Sequence, residues 1–103
     1  MSDFVDVASA DEIPVGQFKA VTVGGRHLLV CHIAEGFYAI DDTCTHDDGS
    51  LADGWLDGQA LECPRHGARF DVTTGAVLAL PAPVSIRTYP VQVDGGRVRV
   101  QVG

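Results

Sequence analysis

Basic residues are scarce in this chain: seven Lys and Arg stand against fourteen Asp and Glu, for a net charge of −7. A surface of that sign repels phosphate backbones and anionic lipid, so nucleic acid and membrane are excluded as expected partners. It suits a protein partner with a basic face, or it simply keeps the chain in solution; composition does not choose. Cysteine is scarce too. Cys31, Cys44 and Cys63 allow at most one disulfide, and nothing marks an oxidising compartment. No apolar run approaches the length of a bilayer span, and Met1-Ser2-Asp3-Phe4 opens no basic, apolar leader. The expectation is a soluble, cytoplasmic protein. No catalytic triad, phosphate-binding loop or dinucleotide fingerprint is present, which leaves no motif for a small-molecule substrate.

What remains is a chain of 103 residues, enough for one modest core, with 46% hydrophobic and 20% charged residues. We expect a single domain, residues 1–103. Ser9-Ala10-Asp11-Glu12 has the form of a capping box, and Pro14 limits any helix there to about a turn. Beyond it the pattern is all-β. Gln17 to Val23, Arg26 to Ile33 and Phe37 to Ile40 are β-favouring runs separated by Gly24-Gly25 and Glu35-Gly36, as in antiparallel hairpins. Val91 to Val93 meets Arg97 to Val102 across Asp94-Gly95-Gly96, and the alternation of Val98, Val100 and Val102 with polar residues predicts one buried face. The stretch from Asp41 to about Leu80 reads differently. It carries Gly49, Gly54, Gly58, Gly67 and Gly75, with short strands at Ala60 to Glu62 and Arg69 to Val72. We expect a loop-rich subdomain, about 41–80, inserted in a basal β framework of about 1–40 and 81–103.

Two runs inside that insertion carry the chemistry. Cys44-Thr45-His46 and Cys63-Pro64-Arg65-His66 each supply one thiol and one imidazole, with sixteen residues between them. A one-residue gap in an extended segment puts Cys44 and His46 on the same side. Pro64 stiffens the second arm, and Gly49 and Gly67 let backbone approach a cluster closely. Two thiolates and two imidazoles fit a [2Fe–2S] centre in which histidines replace cysteines on one iron. They also fit structural zinc, although zinc sites usually pair Cys with Cys and His with His, whereas each arm here is mixed. The remaining reading is that the four are unrelated core or surface residues.

The spacing C-x-H, sixteen residues, C-x-x-H resembles that of Rieske proteins. The run from Cys63 to Gly75 resembles the ferredoxin components of bacterial aromatic-ring-hydroxylating dioxygenase systems, and the likeness extends to Leu80-Pro81-Ala82-Pro83 and to Ile86 through Val91. The resemblance implies a Rieske-like fold of small antiparallel sheets with the ligand loops at the tip of the insertion. It implies that Cys44 and Cys63 bind an inner iron and His46 and His66 an outer one, with Pro81 to Pro83 covering the cluster. It implies a one-electron carrier rather than an enzyme, taking electrons from a flavin-containing reductase and passing them to a terminal oxygenase, and acting as a monomer. A small Rieske subunit of a nitrite-reductase-like complex and a zinc-stabilised interaction module are the alternatives.

Two redox expectations follow. Where high-potential Rieske proteins have a serine and a tyrosine beyond the second motif, this chain has Ala68 and Phe70, and Asp47 and Asp48 follow His46. Missing donors and nearby acids disfavour the reduced state, so the potential belongs at the low end of the range, roughly −150 mV rather than +300 mV. The far ring nitrogens of His46 and His66 carry protons, so that potential falls as pH rises through their ionisation.

Other residues have plainer expectations. Cys31, within Leu28-Leu29-Val30, reads as a small buried hydrophobe. His27 and His32 read as strand or surface residues, and Trp55 as core packing in preference to a part in the cluster's surroundings. Asp41, Asp42, Asp47, Asp48, Asp53 and Asp57 crowd the first loop, either steering a basic partner or serving turns. Arg65 faces a partner or solvent.

Overall fold

Strand β3 (Arg26–Ile33) is the centre of the protein, with β2 (Gln17–Val23) on one side and β4 (Gly36–Asp41) on the other, all antiparallel. The computed structural model describes residues 4–42, 52, 54–63, 68–79 and 85–102. Gly24 and Gly25 both take positive φ, 57° and 80°, the two-residue turn whose twist suits a hairpin and which residues with a Cβ resist. Val23 and Arg26 are the last pair before that turn.

β3 does not alternate between apolar and polar residues, because both of its faces are buried. Leu28 and Val30 enter one core with Ala8, Ile13, Tyr89, Val98 and Val100. Leu29, Cys31 and Ile33 enter a second with Leu61, Cys63, Phe70 and Ile86. Successive strand residues point to opposite faces, so one apolar run serves two cores.

The first core lies against a three-stranded sheet built from both ends of the chain. β1 (Val5–Ser9) pairs with β11 (Arg97–Val100), which pairs with β10 (Val91–Asp94). The valine alternation behaves as expected, with Val98 and Val100 fully buried, though the strand stops before Gln101 and Val102. The predicted cap is a single 3₁₀ turn, Ala10–Glu12, in which the Ser9 N–H donates to Glu12 Oε1 at 2.9 Å. The run expected from Ile86 to Val91 is broken. Thr88–Tyr89 (β9) completes the central sheet beside β4, and Pro90, which has no N–H to donate, marks the crossing to β10.

Asp6 on β1 receives Arg97 of β11 in a forked contact of 2.7–3.2 Å. That hydrogen bond holds the Asp6 carboxyl below the usual carboxylate range, and its Coulombic attraction to Arg97 and Arg99 adds to the effect. A carboxyl whose pKa is lower folded than unfolded lends stability above the unfolded value, and the contribution disappears as pH falls through the folded one. Asp6→Asn should therefore lower the urea midpoint at pH 7, with the deficit fading over the acid interval that begins at the ordinary carboxylate value of about 3.9. A deficit that stayed constant over that interval would locate the effect elsewhere.

The second core lies under a four-stranded sheet of short strands: β5 (Trp55–Asp57), β6 (Ala60–Glu62), β7 (Arg69–Asp71) and β8 (Val77–Ala79). Leu56, Leu61, Phe70 and Val77 form its inner row. Its outer face carries Asp57 and Glu62, with Arg69 3.0 Å from the first and 3.9 Å from the second. Trp55 stands on this outer face and is 48% exposed, which corrects the expectation of core packing. At the start of an edge strand its register partner is Glu62, and the inward positions belong to Leu56 and Leu61. Among the described residues no helix is long and apolar enough to cross a membrane.

Candidate metal centre

The second ligand arm grows out of the β6–β7 hairpin. Glu62 pairs with Arg69, and one step further the Cys63 N–H donates to the Ala68 carbonyl at 2.7 Å. Alternation then fixes the direction of each side chain. Leu61 points inward, Glu62 outward and Cys63 inward again, and Cys63 is fully buried with Ala68 and Phe70 in the second core. Pro64, Arg65, His66 and Gly67 lie outside the described residues.

The first arm leaves from the end of β4. The Asp42 N–H donates to the His27 carbonyl at 3.0 Å, and Asp42 Oδ1 accepts the Ala52 N–H at 3.0 Å. Residues 42 and 52 are thereby held together, and Ala52 packs on the core that contains Cys63. Cys44, His46, Asp47, Asp48, Gly49 and Asp53 lie outside the described residues, as do Pro81 and Pro83. The three acids of the first loop that are described all have internal work: Asp41 accepts the Tyr89 hydroxyl at 2.5 Å, Asp42 caps Ala52, and Asp57 pairs with Arg69.

A third stem closes on the same core. The backbone of Ile86, which follows the proline segment, packs directly against Gly75. Gly75 has φ +81°, and an added Cβ would stand 2.1 Å from the Ile86 carbonyl oxygen. The Ile86 N–H donates to the Gly75 carbonyl at 2.8 Å, and the Gly75 N–H to the Asp71 carbonyl at 2.6 Å. Residues 42 and 52, 63 and 68, and 75 and 86 are thus paired stems at the roots of the three loops that sequence singled out. No local signal predicts the Gly75–Ile86 contact.

The donor chemistry at Cys63 fits an iron–sulfur group. Its companions in the core are apolar, so a thiolate there needs a metal to balance its charge, and soft sulfur suits iron–sulfur clusters. Cys31 is a different case. It is free, fully buried on β3, and burial pushes its thiol up to about 12, which keeps it neutral. Cys31→Ser should leave any visible cluster spectrum intact while costing about 1–3 kcal/mol in urea unfolding, because a hydroxyl replaces an apolar thiol. Loss of the spectrum would make Cys31 a ligand. His27 is exposed, with Nδ1 3.2 Å from Thr22 Oγ1. His32 sets Nδ1 2.5 Å from the Ile13 carbonyl and stacks on Phe37 at 3.9 Å. Both are the strand residues expected.

The family described as Rieske [2Fe–2S] domain matches residues 3–90. The chain belongs to the Rieske family. This Rieske domain is 40% identical over 99 residues to the naphthalene 1,2-dioxygenase system ferredoxin component of Pseudomonas aeruginosa, covering 96% of this chain and 95% of that one. The solved ferredoxin of carbazole 1,9a-dioxygenase from Nocardioides aromaticivorans IC177 superposes with a TM-score of 0.90 at 37% identity, over 94% of this chain and 95% of that one. A chain in the solved complex of reduced oxygenase and oxidized ferredoxin in carbazole 1,9a-dioxygenase superposes with a TM-score of 0.89 at 38% identity, over 95% of this chain and 92% of that one. The all-β Rieske fold is therefore as expected. The cofactor of the Rieske domain is a Rieske-type [2Fe–2S] cluster, and the zinc-module alternative falls.

Proposed function

We propose that this Rieske domain is the ferredoxin component of an aromatic-ring-hydroxylating dioxygenase system, carrying one electron at a time from a flavin-containing reductase to a terminal oxygenase. The observation that carries this reading is 40% identity along 96% of the chain to a protein named as such a component. The carrier is not itself the catalyst, works as a monomer and resides in the cytoplasm. Residues 41–80 form the cluster-binding subdomain on a framework of 1–40 and 81–103.

Four residues hold the cluster: Cys44 and Cys63 on the inner iron, His46 and His66 on the outer. When bound, it accepts and releases a single electron. The protein supplies placement. β6 delivers Cys63 into an apolar core, and Ala68 and Phe70, both fully buried there, offer no hydroxyl to a sulfur. As outer ligands, His46 and His66 would each keep a second ring nitrogen able to carry a proton, so the potential should fall as pH rises.

Three measurements test the reading. Iron and acid-labile sulfide should each approach two per chain, with a visible absorption that dithionite bleaches; stoichiometric zinc in iron-replete, anaerobically prepared protein would overturn it. The reduced protein should then give up its electron to a terminal ring-hydroxylating oxygenase supplied with aromatic substrate and oxygen. Reoxidation no faster than without the oxygenase would remove the partner from the scheme. Voltammetry should place the potential near roughly −150 mV, and a value at the top of the Rieske range would contradict the role given to Ala68 and Phe70.

A further inference from the structure

Three of the six described Lys and Arg residues of this acidic chain sit in ion pairs. Lys19 meets Glu12 at 2.6 Å, Arg69 meets Asp57 at 3.0 Å, and Arg97 meets Asp6 at 2.7 Å. Of the other three, Arg99 on β11 lies within the field of Asp6, while Arg26 and Arg87 form a group of their own. Neither joins a carboxylate in an ion pair among the described residues, yet they converge on one ring. The Arg87 guanidinium lies 5.9 Å from the centroid of Tyr89, and Arg26 lines the same cleft as that ring. The Asp41 carboxylate accepts the Tyr89 hydroxyl at this same ring.

The two arginines, with Thr88, Tyr89, Pro90 and Gln101, line a cleft of about 260 Å³. Both guanidiniums are exposed at its rim, while Tyr89 forms a buried floor. Position adds a second argument. The Arg87 carbonyl accepts the Asp41 N–H at 3.0 Å, so the cleft adjoins the stem of the first ligand loop.

We propose that the Arg26–Arg87 cleft is a docking point for a carboxylate-bearing segment of a protein partner. Planar guanidiniums on two sides grip a carboxylate by paired hydrogen bonds, and the net charge of −7 disfavours a carboxylate away from such cations. The volume is sufficient for one acidic side chain. Beyond the shared wall of Thr88, Tyr89 and Pro90 lies a groove of about 480 Å³ lined by Phe37, Tyr38 and Val72, which takes an apolar neighbour of that side chain. The proposal rests on the electron-carrier reading only in making the partner a redox protein; binding by the cleft stands or falls by itself.

The test uses the oxidised, cluster-loaded protein labelled with ¹⁵N. Titration with hexaglutamate at fixed ionic strength should shift the amides of Arg26, Arg87, Thr88 and Tyr89 and the Nε–H signals of both arginines. In Arg26→Gln/Arg87→Gln the apparent affinity should fall at least tenfold, with the visible spectrum unchanged; Arg26→Lys/Arg87→Lys should retain part of it. No shifts at these residues, or shifts that survive the double glutamine variant, overturn the proposal. Equal shifts from inorganic phosphate at matched ionic strength also overturn it, since the cleft is then a free-oxyanion site. A protein that never bleaches with dithionite refutes the carrier reading while leaving the cleft's binding measurable.

Discussion

Cys63→Ala should yield a chain that retains no cluster: visible absorption lost, and iron lowered by more than tenfold in protein purified anaerobically. Removing this thiol takes away half of the sulfur ligation proposed for the inner iron, and no described side chain replaces it. Cys31 shares the same core, but its thiol stays neutral, and it sits on β3, held by pairing with both Phe18 and Tyr38. Stability should fall unevenly. The sheet of β5 to β8 has three-residue strands, and metal binding contributes directly to the folding of such small units. Hydrogen exchange should accelerate across residues 55–79 while β2 and β3, with seven and eight residues, keep their protection. A Cys63→Ala protein with full iron content would show that the second arm is wrongly assigned.

Gly75→Ala should be the most damaging single methyl in the described chain. The added carbon would stand 2.1 Å from a backbone oxygen, and the neighbour cannot rotate aside as a side chain could. Positive φ adds a conformational penalty of about 1 kcal/mol or more, and overpacking about 1–3 kcal/mol, so roughly 3 kcal/mol in total is expected. For a domain of this size that is a large share of the stability. The damage should also be directional. Ile86 must retreat, which releases the segment after the proline loop from the turn between β7 and β8. Gly58→Ala is the control, because its φ of +60° carries the backbone penalty while nothing lies within 4 Å of the added carbon. A melting-temperature loss no greater for Gly75→Ala than for Gly58→Ala would mean that the Ile86 contact is not structurally important.

The parts of this fold legible in sequence are those with local causes. β2, β3 and β6 have the limits that composition and glycine turns predict, and Cys31 is buried where its apolar neighbours place it. β1 leaves no local signal because its partner is β11 at the opposite end of the chain, and a bulge between Asp6 and Ala8 breaks its alternation. Trp55 is exposed although its size favours burial, because strand register puts Leu56 inside instead. The ligand set is a proposal from spacing and resemblance, and the contacts between the stems of its loops leave no such mark in the sequence. Asp42 with Ala52, and Gly75 with Ile86, are contacts between segments that only the folded chain brings together. The Arg26–Arg87 cleft is hidden for the same reason, since nothing in either flanking sequence names the other.

Mixed ligation by two cysteines and two histidines is the central claim, and pulsed electron paramagnetic resonance on the dithionite-reduced protein tests it most directly. With ¹⁵N incorporated only in histidine, two strongly coupled nitrogens should appear in the parent protein. Each should disappear in turn, or the cluster with it, in His46→Cys and His66→Cys, while His27→Gln and His32→Gln leave both in place. A reduced, paramagnetic protein showing no histidine nitrogen coupling would contradict the assignment of His46 and His66 to the outer iron.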